Sequence, residues 1–333
     1  MKYTKKHIEI VSMFLLLIVF NTMAVFWDYL TSPIGGKEQV VFIKTGWCFK
    51  DVVHVLEERN IITHPLLFHL WGELKGIAKH IKTGEYLITP KLTPNELLER
   101  LAAGKGIILY KITIPEGSTV RQIADMLEKS GVLCKERFIK LACDQKFIKR
   151  LNLNVDVLSL EGYLFPTTYF FPRGIKEEYI IKAMVEQFKL IYKKYSSKAE
   201  KMGLSFSDVV TLASIVEKET AFSEEKPIIA SVFLNRLKLN MPLQCDPTVI
   251  YALPNFNGNL TKADLFYPSP YNTYLYKGLP PTPICNPGEE ALAAVVDVPK
   301  TPFLYFVSKN NGEHHFSKTL AEHEAAVTRY QRN

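Results

Sequence analysis

The chain carries only five cysteines in 333 residues, far apart and without a C-x-x-C pair, so neither a zinc site nor a disulfide framework is indicated. Burial as small apolar side chains is the expected fate of Cys48, Cys134, Cys143, Cys245 and Cys285, with a Cys134 to Cys143 bridge open to an oxidising compartment. A basic helix and an aromatic RNA-binding motif are also missing. The net charge of +7 comes from 41 Lys and Arg against 34 Asp and Glu, and part of it sits among the first six residues. The body is only mildly basic and its lysines are scattered, which excludes a nucleic-acid footprint. No low-complexity stretch or long linker occurs. With 47% hydrophobic and 23% charged residues, two or three folded units are expected.

One long apolar run is present, from Ile10 to Trp27. As a helix its 18 residues extend roughly 27 Å at about 1.5 Å per residue, close to the hydrocarbon thickness of a bilayer. Lys2, Lys5 and Lys6 precede it, and Phe26, Trp27 and Tyr29 close it. That asymmetry places residues 1–9 in the cytoplasm, a spanning helix over 10–29, and the body on the far side, as a single-pass membrane protein. A cleaved signal peptide with Val11 to Phe20 as its apolar core is the alternative.

Shifting the chain by 71 residues aligns Val41-Phe-Ile-Lys-Thr-Gly46-Trp-Cys-Phe-Lys-Asp-Val-Val-His-Val-Leu56-Glu57 with Ile112-Thr-Ile-Pro-Glu-Gly117-Ser-Thr-Val-Arg-Gln-Ile-Ala-Asp-Met-Leu127-Glu128. Each copy has a β-rich run, a Gly at the turn, and apolar residues at helical spacing: Val52, Val53 and Leu56 against Ile123, Ala124 and Leu127. A second helical stretch follows in each, over 65–74 and 135–142. Strand, helix, helix resembles LysM-like glycan-binding modules, and Glu85-Tyr-Leu-Ile88 supplies the first copy with a closing strand. A small scaffold without a ligand would show the same pattern. The expected division is a LysM-like subdomain over 40–104, a second βαα repeat over 105–150, and a catalytic part over 151–333.

Further helices are predicted over 94–103, 177–195, 207–219, 224–239, 288–298 and 319–330, with Ser207 and Ser223 as caps and Pro227 in a first turn. Segments 303–307 and 313–316 flank Asn310-Asn-Gly312 and read as a β-hairpin. The fold class is α+β.

The chemistry centres on Ala213-Ser-Ile-Val-Glu217-Lys-Glu219-Thr. At about 100° per residue, Val209, Val210, Leu212, Ala213, Ile215 and Val216 form an apolar arc, while Thr211, Ser214 and Lys218 take the other side. Glu217 and Glu219 fall on opposite flanks of the arc near the helix C-terminus. Burial and the negative helix end both disfavour their charged forms, so either suits a general acid, and helical geometry does not choose between them. Glu161, in Leu160-Glu-Gly-Tyr-Leu-Phe-Pro166, is a third candidate. Two later segments, Leu243-Gln-Cys-Asp246-Pro-Thr-Val-Ile-Tyr251 and the stretch from Ser269 to Gly288, are dense in amides, hydroxyls and rings. A carboxyl on an apolar helix followed by such segments is what a carbohydrate-cleaving cleft requires. Gln244, Asp246, Tyr271, Asn272, Tyr274 and Asn286 are candidate cleft walls, although ordered loops use the same residue types to satisfy backbone groups. His314, His315 and His323 lack a metal-binding spacing, and no metal is expected.

The words Thr113-Ile-Pro-Glu-Gly117, Leu160 to Pro166, Leu212-Ala-Ser-Ile-Val-Glu-Lys-Glu219, Ala230-Ser-Val-Phe-Leu-Asn-Arg-Leu237, Leu243 to Tyr251, Asn272 to Gly288, and the tail from Tyr305 to Glu324 resemble, in order, the YceG-like family of endolytic murein transglycosylases. The resemblance implies that Glu217, first Glu of I-V-E-K-E, is the catalytic acid. It departs at Thr167-Thr168, where the family often has an acidic residue, and at Cys245, where Ser or Thr is common. Also implied are cleavage within nascent peptidoglycan strands, partnership with the peptidoglycan synthases of elongation, and a lyase needing no cofactor. A lytic transglycosylase works with one carboxylate, because the attacking 6-hydroxyl belongs to the same N-acetylmuramic acid ring whose bond breaks. The rivals are a muramidase using Glu219, Glu161 or Asp246 as second carboxylate, and a membrane-anchored glycan-binding scaffold without chemistry.

Overall fold

The computed structural model describes residues 5–153 and 157–331. Lys2 and the rest of the first four residues, part of the expected cytoplasmic tail, lie outside them. Helix α1 (Lys5–Thr31) opens the chain. Within it, His7–Thr31 is long and apolar enough to cross a membrane, with a mean hydropathy of 2.3 over its best window. The chain then folds as two compact units, residues 1–110 with Phe171–Ile175, and Lys111–Phe170 with residues 176–333.

In the first unit, β1 (Gln39–Ile43), α2 (Phe49–Glu58), α3 (Pro65–Leu74), β2 (Gly84–Ile88) and α4 (Pro94–Ala103) follow one another. β1 and β2 pair antiparallel, with Val41 opposite Tyr86 and Ile43 opposite Gly84. Alternation puts Val41 and Ile43 inside, where they meet Val52, Leu56, Phe68, Leu97, Leu98 and Leu101. Gly72 is required on α3, because a Cβ there would lie 2.4 Å from the Phe49 ring. α4 begins with a reciprocal cap between Thr93 and Glu96 and ends at Gly104, whose φ of 72° is left-handed. Segment 171–175 joins this unit through Arg173 Nη1 to Glu85 Oε1 at 2.9 Å and Thr45 Oγ1 to the Gly174 carbonyl at 2.7 Å.

The second copy of the repeat continues through β3 (Leu109–Thr113), α5 (Val120–Lys129), α6 (Lys135–Ala142) and α7 (Gln145–Arg150) to β4 (Thr168–Pro172). Ile123, Ala124 and Leu127 are buried, as Val52, Val53 and Leu56 are in the first copy. The copies differ in closure. β3 pairs not with a strand following α6 but with β4, beyond α7, and α5 and α6 belong to the second unit.

The remainder comprises α8 (Glu177–Tyr192), α9 (Ser196–Met202), α10 (Phe206–Glu219), α11 (Lys226–Lys238), α12 (Asp246–Ala252), α13 (Glu289–Val296), β5 (Tyr305–Ser308), β6 (His314–Ser317) and α14 (Leu320–Gln331). α10, α11 and α13 pack against one another pairwise. The helix read over 177–195 stops at Tyr192, and a turn separates α9 from it. Ser205, not Ser207, caps α10: its Oγ accepts the Asp208 amide at 3.1 Å. Ser223 caps nothing, because its hydroxyl bonds Glu290 and α11 starts three residues later, with Pro227 in its first turn. The hairpin is present with Phe306 opposite Phe316.

Candidate functional site

α10 is enclosed all round rather than along one arc. Thr211 and Ser214 are 3% and 0% exposed, as deep as Val209, Val210 and Ile215. The reason is a partner for the polar side: Ser214 Oγ donates to the Thr211 carbonyl at 2.7 Å and accepts the Ile284 amide at 3.0 Å, so segment 284–285 covers it. The first turn of α10 is half-buried, and its last turn emerges. There Glu217, Lys218 and Glu219, with Glu116, Gly117, Thr220, Ala221, Lys226 and Glu290, line a cavity of about 400 Å³.

Within this cavity Glu217 sits where two helix ends meet. It occupies the last turn of α10, while its Oε2 accepts the amide of Gly288, the N-cap of α13, at 2.9 Å. The positive end of α13 thus opposes the negative end of α10. Its Oε1 lies 3.2 Å from Lys226 Nζ, with both side chains less than a tenth exposed. Lys226 stands in the first turn of α11, where a cation is unfavourable by itself. Carboxylates compensate: Glu290 Oε2 and Glu116 Oε2 lie 3.7 and 3.8 Å from the same ammonium. Burial, and then the neighbouring Glu217 charge, push the Glu116 carboxyl above the usual carboxylate range. Room for Glu116 exists because Gly288 has no side chain; a Cβ there would come within 2.0 Å of its carboxyl carbon.

Glu219 lines the same cavity and is held differently. Burial raises its pKa to about 7, against a hydrogen bond from the Cys245 thiol that lowers it. The two carboxylates that the sequence could not separate are therefore distinct, one held by an ammonium and a helix N-terminus, the other desolvated against a thiol.

Of the remaining sequence candidates, Glu161 is 5% exposed and fully engaged by protein. Its Oε1 accepts the Val120 amide at 3.0 Å and Asn286 Nδ2 at 3.1 Å, and its Oε2 accepts the Tyr251 hydroxyl at 3.3 Å. Desolvation raises its pKa to about 7. Asn286 is wholly buried, donating also to the Ser118 carbonyl and accepting the Gly162 and Leu164 amides. Asn272 is equally buried and ties the Leu265 and Tyr267 carbonyls to the Tyr274 amide. Tyr271 bonds Thr282, and Tyr274 donates to Asp246 Oδ1 at 2.5 Å. Gln244 and Asp246 are exposed. None of these seven lines the cavity at Glu217. His314 is paired through Nδ1 with Glu225 Oε2 at 2.7 Å, and His323 stacks on Tyr305.

Lys226, Glu116, Glu290 and Gly288 were not singled out from sequence. One signal was available: a lysine in the first turn of a helix, beside Pro227, is electrostatically misplaced unless anions surround it. Glu116 and Gly288 lie inside words already quoted for the family resemblance, and only the fold brings them together.

The YceG-like family model matches residues 41–329. The chain belongs to the YceG-like family. An endolytic murein transglycosylase of Bacillus subtilis is 35% identical over 301 residues, covering 86% of this chain and 83% of the relative. One from Streptococcus pneumoniae is 29% identical over 327 residues, and the match spans 88% of this chain and 58% of that relative's length. The crystal structure of a YceG-like protein from Listeria monocytogenes is 33% identical, with a TM-score of 0.61 over 87% of this chain and 99% of the other.

Proposed function

We propose that this member of the family is an endolytic murein transglycosylase, cleaving the β-1,4 bond between N-acetylmuramic acid and N-acetylglucosamine within peptidoglycan strands to leave 1,6-anhydro ends. The observation that carries the proposal is Glu217, a carboxylate at the wall of a cavity of about 400 Å³ beside Lys226, in a chain whose relatives bear that activity in their names. Glu217 protonates the leaving N-acetylglucosamine oxygen and then, as carboxylate, takes the proton of the attacking 6-hydroxyl. Intramolecular attack supplies the nucleophile, so a second carboxylate is not needed. Glu116 and Glu290 give the Lys226 ammonium other partners while Glu217 carries the proton. Replacing Glu217 with Gln is expected to abolish cleavage of purified glycan strands, while Glu219→Gln leaves measurable cleavage; the opposite outcome would transfer the acid role to Glu219.

A two-carboxylate muramidase is the second reading, favoured by one observation: Glu116 and Glu219 line the same cavity as Glu217. It differs in product, because hydrolysis leaves reducing muramic ends.

The remaining assignments belong to the same proposal. α1 anchors the chain with the N-terminus in the cytoplasm and the body on the outer face of the membrane, close to the synthases that make nascent strands. The βααβ module of the first unit contacts glycan as LysM-like modules do. In support, a cavity of about 500 Å³ there is lined by Trp47, Lys50, His69, Glu73 and Lys79, a ring among polar groups of the kind that holds a sugar face. Retention of the protein on insoluble peptidoglycan that is unchanged by Trp47→Ala would remove that role.

A further inference from the structure

The first unit carries an apolar surface that its own fold leaves uncovered. On α3, Phe68 and Gly72 turn into the core, whereas Leu66, Leu70 and Leu74 recur every four residues on another face and are 83%, 51% and 67% exposed. Three exposed leucines on one helix face are more than a scattering of single apolar residues. Their setting says what covers them. The C-terminal end of α1 is fixed to this unit: Leu30 is 1% exposed, the Phe26 ring lies 5.7 Å from that of Trp71, and the Tyr29 ring lies 5.2 Å from His64. Just beyond, the Ile34 amide donates to the Leu92 carbonyl at 2.8 Å, so no free linker separates helix and module. Leu67 of α3 shares a groove of about 420 Å³ with Ile18, Asn21, Thr22, Val25 and Phe26 of α1.

We propose that α3 is a membrane-interface helix, with Leu66, Leu70 and Leu74 immersed in the boundary between headgroups and acyl chains, and with lipid filling the groove between Leu67 and α1. The depth agrees. The groove's midpoint on α1, Thr22, lies six residues inward of Asp28, the first acid after the apolar run, which at 1.5 Å per residue is roughly 9 Å, with its ends at Phe26 and Ile18 roughly 3 and 15 Å inward. Interfacial helices sit about 5–10 Å into that boundary. The rings of Phe26 and Trp71 meet 5.7 Å apart, with Tyr29 less than one turn further along α1, the aromatic residues that bilayer surfaces favour. In consequence the first unit is seated on the bilayer rather than tethered above it. The inference rests on α1 spanning the membrane.

The test uses the full chain in phosphatidylcholine and phosphatidylglycerol vesicles, with Cys48, Cys134 and Cys143 changed to Ser. A fluorophore is attached at Leu70→Cys, at Val19→Cys in the middle of α1, or at Lys129→Cys on the second unit. The expected result is that the Leu70 probe is quenched by shallow doxyl lipids and loses most of its quenching by aqueous iodide, while the Val19 probe responds to deep doxyl lipids and the Lys129 probe to iodide. A deep Val19 probe with a Leu70 probe as open to iodide as Lys129 overturns the interfacial helix alone. A Leu70 probe shielded from both quenchers also overturns it, in favour of a protein partner. A Val19 probe open to iodide overturns both the anchor and the inference.

Discussion

The Gly288 amide reaches Glu217 Oε2 at 2.9 Å, while the missing side chain of Gly288 leaves the space that the Glu116 carboxyl fills. One backbone position thus sets two carboxylates. Gly288 has φ −75°, an ordinary value for any residue, so Gly288→Ala strains no dihedral but displaces Glu116. The expected outcome is a reduced cleavage rate with a small change in melting temperature, read by glycan digestion beside thermal denaturation.

Lys226 and Glu116 act on Glu217 with opposite charge. Around Glu217 lie Glu116 from the β3–α5 turn, Lys218 and Glu219 from its own helix, Lys226 from α11, Glu290 in the first turn of α13, and Cys285, four residues ahead of that helix. Lys226→Met removes the ammonium that holds Glu217 Oε1 at 3.2 Å, and the cleavage rate is expected to fall. Glu116→Gln leaves that ion pair in place and is expected to reduce the rate less. Because a buried ion pair loses one partner, Lys226→Met also costs up to about 3 kcal/mol of stability. Equal rates in the two variants, or the parent rate in Lys226→Met, would contradict this electrostatic account.

Glu161 and Glu219 give the fold a pH dependence of definite sign. Both are raised to about 7 from an ordinary 4.5, chiefly by burial. The folded state therefore binds protons that the unfolded chain has released between those values. Their stabilisation is complete below pH 4.5 and is lost as pH rises through about 7, by on the order of 3 kcal/mol each. The melting temperature should fall from pH 5 to pH 8, and Glu161→Gln, which keeps an acceptor for Val120 and Asn286, should flatten that fall.

How much of this was legible in the sequence depended on the range of the interactions. Local periodicity located the buried faces of α2 and α5 and the course of α10, because each helix writes its burial into its own residues. The cap of α10 was misplaced by two residues since Ser205 and Ser207 both precede acidic or apolar positions; only the Asp208 amide decides between them. Helix α12 was hidden because Asp246-Pro247 reads as a loop, although Pro is favourable in a first turn. The pairing of β3 with β4 crosses three helices and leaves no turn signature. Likewise the choice between Glu217 and Glu219 rests on Lys226, Gly288 and Cys245, partners that no helical wheel contains. Asn272 and Asn286 looked like sugar ligands because a wholly buried amide bracing a loop has the same letters as one lining a cleft.

The corrected cap is itself testable. Ser205→Ala is expected to cost about 1 kcal/mol in denaturant unfolding, and Ser223→Ala, whose hydroxyl serves Glu290 instead, much less.

The most direct test of the central claim is mass spectrometry of glycan strands digested by the purified protein and by its Glu217→Gln variant. The account predicts fragments ending in 1,6-anhydro-N-acetylmuramic acid, one water lighter than hydrolytic products, and no such fragments from the variant. Reducing muramic ends, or anhydro ends formed equally well without the Glu217 carboxyl, would contradict it.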